Sequence, residues 1–121
     1  MLSKSERLTK KQVEAVLASG RRHSSAYFFA TVLAAPVESA SIPTFAIVVS
    51  KKTADTAVER NKLRRRTYSA IRQVKKIISA RPNGKVLPFY VVVVVKREAK
   101  PAKLPDLIDD LGRLMKISGV I

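Results

Sequence analysis

The sequence predicts an α/β (α+β) two-layer sandwich, in which helices pack on a small, mostly antiparallel sheet with one parallel central pair. The first observation is that segments with the apolar spacing of helices and segments rich in β-branched residues follow one another in the order α-β-β-β-α-β-α. The second is a run of five valines at 91–95, which is typical of a strand buried on both faces in the middle of a sheet. The third is composition, since 121 residues of which 46% are hydrophobic suffice for one domain, residues 1–121, with a real core.

A basic arm, residues 1–8, precedes the first helix, which is predicted to begin at Thr9. Thr9 and Gln12 have the spacing of a capping box, where each side chain satisfies the backbone N–H of the other residue. Gly20 favours the end of the helix at that position. The apolar stripe of this helix comprises Val13, Val16 and Leu17.

Strands are predicted next. Residues 26–35 are aromatic and β-branched, and a short strand is expected before them around residues 21–24. A polar turn over 36–43 leads to a further strand at 44–50, and a basic loop at 51–56 follows. The aromatic residues that open the longer strand are interpreted as core, with base stacking on an open sheet face as the alternative, and alternation along a strand permits both. These residues are Tyr27, Phe28 and Phe29.

A long amphipathic helix is predicted over residues 57–80. Its apolar face comprises Leu63, Thr67, Ala70, Ile71, Val74, Ile77 and Ile78. Its opposite face comprises Asn61, Arg64, Arg65, Tyr68, Arg72, Lys75 and Lys76. A turn at 81–84, the central strand at 86–96, a linker at 96–103 and a last helix at 104–116 complete the chain, and Pro105 suits the first turn of that helix.

Charge gives the first indication of function. The formal net charge is +15, and basic residues concentrate between positions 50 and 72, where only Asp55 and Glu59 oppose them. A basic helix with an apolar back can rest on a core and present Lys and Arg to phosphates, so RNA or DNA is the expected partner. The alternative interpretation is a solvated helix face, and it is weakened because acidic partners at i+4 are almost absent.

The sequence offers no convincing catalytic set. His23 has no partner histidine for general acid–base work, and a solvated turn residue is the better interpretation. Asp106, Asp109 and Asp110 have a spacing that suits one helical face and Mg²⁺, but they lie where a helix N-terminus favours acidic side chains in any case. Without cysteines, Cys-based zinc sites and a cysteine nucleophile are excluded. Neither catalytic residues nor a metal site is therefore predicted.

Location follows from the same composition. The longest apolar run, residues 86–95, is about half the length that crosses a bilayer, and no apolar signal region follows the charged N-terminus. The lack of cysteines fits a reducing compartment. We therefore expect a cytoplasmic protein that does not span a membrane. No obligate protein partner is evident from the sequence.

The central motif resembles that of the protein subunit of bacterial ribonuclease P. In that family a strand ends in a V-S-K-K-like segment, and an R-N-R motif follows on a long helix. Here residues 49–52 match the first part and residues 60–65 match the second. The resemblance extends to Arg7 and Leu8, the first helix, Gly20 and the strand with Phe28, and it is weak after residue 80.

The resemblance implies the fold and the function together. It implies a left-handed crossover around the basic helix, although most parallel crossovers are right-handed. It implies a protein that docks on a catalytic RNA, which holds most of the Mg²⁺, and that receives the single-stranded 5′ leader of precursor tRNA in a cleft between the first helix and the sheet. The implied RNA-docking residues are Lys51, Lys52, Arg60, Asn61, Lys62, Arg64 and Arg65, with Arg72 further along the same face. The implied leader cleft comprises Val13, Leu17, Phe28 and Thr31.

The chain departs from the family pattern at several positions. Lys62 stands at the third motif position, where it keeps the charge but lacks the planar fork of Arg. The family's R-x-G segment is replaced by residues 44–46, and aromatic positions of the cleft are occupied by Val13, Leu17 and Thr31. We therefore expect apolar and backbone contacts to replace part of the base stacking.

Three other functions remain open from the residues. A structural RNA-binding protein, such as a ribosomal protein, predicts the same charge and the same salt dependence. A protein-only nuclease requires cleavage without any RNA subunit. A DNA-binding module ranks last because no short helix-turn-helix pair is evident.

Overall fold

The structure, a computed structural model, describes residues 8–34, 44–79 and 89–118. The expectations for the basic arm at 1–7, the turn at 36–43 and the turn at 81–84 lie outside these residues. The elements, in chain order, are α1 (Lys10–Ser19), β1 (Arg21–Ser24), β2 (Phe28–Ala34), β3 (Thr44–Val48), α2 (Ala57–Ser79), β4 (Phe89–Val95), a short 3₁₀ turn (Arg97–Ala99) and α3 (Leu104–Ile117).

The four strands form one mixed sheet in the order β1-β2-β4-β3. β1 pairs with β2 and β2 pairs with β4 in antiparallel fashion, whereas β3 and β4 are parallel. β4 therefore lies between two strands, as its unbroken valine run predicts, and Val91, Val92 and Val93 are fully buried. The mixed α+β class and the one parallel pair are confirmed. α2 connects β3 to β4, and the left-handed sense of this crossover stays a prediction.

The main core lies on one face of the sheet, beneath α2 and α3. Side chains alternate between the two faces of a strand, so Phe28, Ala30 and Val32 of β2 all point to this face. The helices contribute a row of fully buried side chains. These are Ala70, Ile71 and Val74 of α2, and Leu107, Leu111, Leu114 and Met115 of α3.

α1 lies on the opposite face of the sheet, across β2 and β4. The predicted capping box is present, because Gln12 N donates to Thr9 Oγ1 at 3.2 Å and Thr9 N donates to Gln12 Oε1 at 2.8 Å. Val16 is the fully buried member of the apolar stripe, while Leu17 is 55% exposed. Gln12 Nε2 also donates to the Tyr90 hydroxyl at 3.2 Å, which ties the start of α1 to β4.

A glycine is needed at position 20, at the end of α1, because there is no room for a Cβ and not because of the backbone conformation. Its φ of −76° is open to any residue. A Cβ at this position would lie 2.5 Å from Val16 O, 2.8 Å from Thr31 Cγ2 and 3.0 Å from Val32 O. The lack of a side chain therefore allows the end of α1 to approach β2.

Two predictions for α2 are wrong. Ile77, predicted to face the core, is 55% exposed, because the last turns of α2 border an open groove beside Ile108 and Gly112 of α3 instead of the sheet. Tyr68, predicted on the exposed face, is half-buried and packs against the core. The side chain of Ile78 lies outside the described residues.

Asp110 joins α3 to the turn between β1 and β2. Its carboxylate, only 6% exposed, accepts hydrogen bonds from Ser25 Oγ at 2.7 Å, Tyr27 N at 3.0 Å and Ala26 N at 3.3 Å. Asp110 is thus directed into the fold, whereas Asp106 and Asp109 are exposed.

The start of the described chain is attached to the edge strand β3. Leu8, the last residue of the predicted arm, donates its backbone N–H to Phe45 O at 3.3 Å, so it lies against the β3 strand. Within residues 8–34, 44–79 and 89–118, none of the helices has the length and apolar character needed to cross a bilayer.

Candidate RNA interface

The basic loop after β3 is held in place by a network of hydrogen bonds. Thr53 N and Ala54 N donate to Ser50 O at 3.1 and 3.2 Å, which makes a tight turn that presents Lys51 and Lys52 to solvent. The buried Thr53 hydroxyl donates to Val95 O at 3.0 Å and so attaches the loop to the end of β4. The two lysines are therefore displayed on a supported turn.

Thr56 begins α2 as its cap. Its hydroxyl accepts from Glu59 N at 3.2 Å, and its carbonyl accepts from Arg60 N at 3.0 Å. The Arg60 guanidinium turns back and donates to Ala54 O at 3.0 Å and Asp55 O at 3.1 Å. The motif helix and the basic loop are thus joined through Arg60 itself.

The predicted docking residues are exposed or half-buried side chains of α2 and the basic loop. Lys62 and Arg65 of α2 are exposed, as is Asn61, while Arg60 and Arg64 are half-buried. Arg72 is also exposed, two helical turns or about 10 Å beyond Arg65. With the two lysines of the supported turn, these side chains form what we call the motif surface. Its members are Lys51, Lys52, Arg60, Asn61, Lys62, Arg64, Arg65 and Arg72.

Arg64 and Arg66 of α2, like Arg60, donate to uncharged acceptors. Arg64 Nη1 donates to Asn61 Oδ1 at 3.0 Å, and Arg66 Nη1 donates to Lys100 O at 3.1 Å and Ala102 O at 3.0 Å. Glu59 forms its ion pair with Lys100, at 3.0 Å, rather than with an arginine of the helix. These hydrogen bonds orient the guanidinium groups without neutralising them, so the surface keeps its positive charge.

Sequence reasoning missed Arg97 as part of this region. Its Nη2 and Nε donate to Lys52 O at 2.8 and 3.3 Å, so the 3₁₀ turn after β4 supports the basic loop from the other side. The sequence could have indicated this, because the basic pair Lys96 and Arg97 directly follows the predicted central strand. The carboxyl end of that strand lies beside the carboxyl end of its parallel neighbour β3, from which the basic loop begins.

The second predicted site, the cleft under α1, falls on the sheet face opposite the main core, where α1 packs across β2 and β4. Thr31 is on this face, 7% exposed, beneath the end of α1. Val13 and Leu17 lie on α1 as expected, half-buried and exposed respectively. The structure thus brings three of the four predicted cleft residues to one side of the sheet.

The prediction for Phe28 is wrong. Its side chain is fully buried in the main core. Neighbouring residues of a strand point to opposite faces of the sheet, so the side chain of Phe28 cannot also lie on the α1 side. Phe29, like Tyr90, lies on the side of the sheet that α1 covers. It is half-buried, and two cations lie at its ring, with Arg22 Cζ 4.1 Å and Lys96 Nζ 4.3 Å from the centroid.

The described part of the chain contains no cluster of side chains that suits catalysis or metal binding. His23 lies on β1, half-buried, near Arg21 and Ser19 along an open cavity of about 400 Å³. Among residues 8–34, 44–79 and 89–118, no three His, Asp or Glu side chains come together as a possible metal site. What this part of the molecule presents is a set of exposed Lys and Arg side chains on α2 and the basic loop.

Comparison with known proteins decides the family. A family model described as ribonuclease P matches residues 2–118. The chain belongs to the ribonuclease P protein family. It is therefore the protein subunit of an endoribonuclease and works with ribonuclease P RNA, and a structural RNA-binding protein such as a ribosomal protein is not favoured.

Solved structures agree in fold. A Staphylococcus aureus ribonuclease P protein mutant with defective mRNA degradation activity superposes with a TM-score of 0.76 at 24% identity, covering 98% of this chain and 92% of the other. A second S. aureus ribonuclease P protein gives 0.74 at 23% identity, with coverage of 97% and 98%. The Thermotoga maritima ribonuclease P protein gives 0.70 at 20% identity, with coverage of 93% and 96%. A search of curated proteins found no significant match.

Proposed function

We propose that the motif surface docks this subunit on ribonuclease P RNA, while the cleft under α1 receives the single-stranded 5′ leader of precursor tRNA. The assembled enzyme then removes the leader by hydrolysis of one phosphodiester bond. The observation that supports docking most strongly is that Arg60, Arg64 and Arg66 of α2 are oriented by neutral acceptors, namely Asn61 Oδ1 and backbone carbonyls.

Charge explains why a ribozyme needs such a subunit. The catalytic RNA and its substrate are both polyanions, and a protein of formal charge +15 between them lowers their repulsion. Each phosphate that a Lys or Arg neutralises releases condensed counterions, which makes the binding salt-dependent. The contribution of this chain is therefore binding and positioning.

Preorganisation adds to the charge. The basic loop is attached to β4 by Thr53 and to the 3₁₀ turn by Arg97, and Arg60 joins it to α2. Groups held in position before binding lose less conformational entropy when the RNA arrives. We therefore expect Lys51 and Lys52 to contribute more than exposed lysines on a mobile segment.

The cleft offers shape and apolar contact more than stacking. Thr31 and the exposed Leu17 stand at positions where the family pattern has aromatic residues, and they leave the sheet face beneath α1 less aromatic. We expect leader nucleotides to contact apolar side chains and backbone there, and sequence preference within the leader to be weak.

We assign the Mg²⁺ of the reaction mainly to the RNA subunit. The described acidic residues do not supply a cluster of ligands, and Asp110 is engaged by Ser25, Ala26 and Tyr27. No step of the reaction is therefore assigned to a metal held by this chain. A cytoplasmic location stays a prediction from the sequence.

Reconstitution tests the proposal. Ribonuclease P RNA, precursor tRNA and the protein are combined at low Mg²⁺, and the release of leader is measured with and without the protein. We expect stimulation by the protein and no cleavage by the protein alone. Stimulation that survives removal of the motif-surface cations would overturn the docking assignment, and cleavage without the RNA would overturn the division of roles.

A further inference from the structure

A cation–aromatic cluster lies on the cleft side of the sheet, outside the motif surface. The Phe29 ring has Arg22 Cζ at 4.1 Å and Lys96 Nζ at 4.3 Å from its centroid. Phe29 is opposite Ser24 in the β1–β2 pairing, and Arg22 is opposite Thr31. Since residues two apart share a face, Arg22, Phe29 and Thr31 belong to the same side of the sheet as α1.

Lys96 is held at this place by the turn between β1 and β2. Its ammonium donates to Ser24 Oγ at 2.8 Å and to Ser25 O at 2.5 Å, and its backbone N–H donates to Tyr27 O at 2.9 Å. An ammonium has three donors, so these two bonds fix its position and leave a third direction for an incoming acceptor. The acceptors already present carry no formal charge.

The cluster brings two positive charges to one ring. The negative face of an aromatic ring attracts each cation, and this attraction offsets part of their mutual repulsion. A phosphate between the two side chains would remove the rest, because it supplies the opposite charge and the acceptor oxygens that guanidinium and ammonium groups prefer. The ring then acts as the support that keeps both cations in place.

The cluster is also continuous with the motif surface. Lys96 precedes Arg97, whose guanidinium donates to Lys52 O at 2.8 Å in the basic loop. A nucleic acid strand that leaves Lys51 and Lys52 therefore meets Lys96 next, at the end of β4, and then Arg22 on β1. This path crosses the sheet on the side where α1 lies.

We propose that Arg22 and Lys96, held by Phe29, form a phosphate-binding subsite for RNA. The inference rests on the proposed function, which it extends from the motif surface to the β1 edge of the sheet. The ligand is a backbone phosphodiester, whose source is either the leader of precursor tRNA or ribonuclease P RNA. Its place on the α1 side of the sheet favours the leader.

The chain contains a matched control for Arg22. Arg21 is its neighbour on β1, also exposed and equally charged, but its side chain belongs to the opposite face, beside His23. Arg22→Ala and Arg21→Ala therefore change the net charge equally and differ in the face from which the charge is removed. Phe29→Leu keeps an apolar side chain and removes the ring that holds the two cations.

The experiment measures affinity against salt for the reconstituted holoenzyme. Precursor tRNA and mature tRNA without a leader are the two ligands, and the affinity of the protein for ribonuclease P RNA is measured separately. For precursor tRNA, we expect Arg22→Ala to reduce the slope of log K against log salt by about 0.7, the value for one single-strand phosphate. Arg21→Ala should leave the slope unchanged, and Phe29→Leu should weaken binding in the same direction as Arg22→Ala.

The arms identify the source of the phosphate. A loss confined to precursor tRNA assigns the subsite to the leader, and a loss confined to ribonuclease P RNA assigns it to the catalytic RNA. Equal effects of Arg22→Ala and Arg21→Ala on every RNA would overturn the subsite. Failure of the proposed function gives a different result. In that case, replacing the motif-surface cations by Ala would leave the salt dependence of RNA binding unchanged, whatever the effect of Arg22→Ala. Circular dichroism shows whether each variant is folded before binding is measured.

Discussion

Gly20→Ala is the substitution that links the packing of α1 most directly to the cleft. The added Cβ would lie 2.5 Å from Val16 O, 2.8 Å from Thr31 Cγ2 and 3.0 Å from Val32 O. Val16 O belongs to the backbone of α1 itself and Val32 O to the backbone of β2, so neither can rotate away. The last turn of α1 must therefore distort, and its end must move off β2. The same movement displaces Leu17 and opens the cleft.

The size of the effect follows from the cost of overpacking. Forcing an extra methyl group into a well-packed site costs about 1–3 kcal/mol. For a domain of this size each kcal/mol corresponds to a Tm change of roughly 3–5 °C, so Tm should fall by roughly 3–15 °C. We also expect the reconstituted enzyme to lose affinity for precursor tRNA while the affinity of the protein for ribonuclease P RNA changes little.

Gly112→Ala is the matched control. Gly112 lies within α3, and a Cβ there meets no atom within 4 Å. Ala is favoured over Gly inside a helix by about 0.5–1 kcal/mol, so this variant should melt at a slightly higher temperature. Thermal unfolding followed by circular dichroism measures both. Equal Tm values for Gly20→Ala and the wild-type protein would refute the close approach of α1 to β2.

Two further predictions separate structural from RNA-facing side chains. Arg66→Ala should lower the free energy of unfolding by about 1–2 kcal/mol, because two hydrogen bonds to the segment after the 3₁₀ turn are lost. Arg65→Ala removes an exposed side chain, so it should change the free energy of unfolding by no more than about 0.5 kcal/mol and should weaken RNA binding. Urea unfolding and RNA titration of both variants check this, and the reverse order would contradict it. Asp110→Ala should cost about 2–4 kcal/mol, since its three donors lose their acceptor, and Asp110→Asn should cost less because one oxygen remains. Unchanged urea midpoints would show that the Asp110 contacts do not stabilise the turn.

Local sequence patterns predicted those features of the helices and strands that depend on nearby residues. The Thr9–Gln12 capping box and the central position of β4 both follow from short-range chemistry that the sequence displays. The exposure of Asn61, Lys62 and Arg65 was predictable for the same reason, since it follows from the helical period of α2. What the sequence did not display was the support of the motif surface, such as the hydrogen bonds from Arg97 to Lys52 O.

Errors arose where tertiary packing chooses between equivalent positions. Phe28 and Phe29 are both aromatic and adjacent, and only the pairing with β4 decides which one enters the core. Ile77 continues the apolar period of α2, but the helix extends beyond the surface that covers its earlier turns. Asp110 has the spacing of its acidic neighbours, and its partners come from a turn 85 residues earlier in the chain. Periodicity alone contains none of this information.

The salt dependence of binding to ribonuclease P RNA tests the central claim most directly. The wild-type protein is compared with a variant in which Lys51, Lys52, Lys62 and Arg65 are replaced by Ala, all four being exposed. If each contacts one phosphate, the slope of log K against log salt should become shallower by about 3. An unchanged slope in a folded variant would contradict the assignment of the motif surface to the RNA.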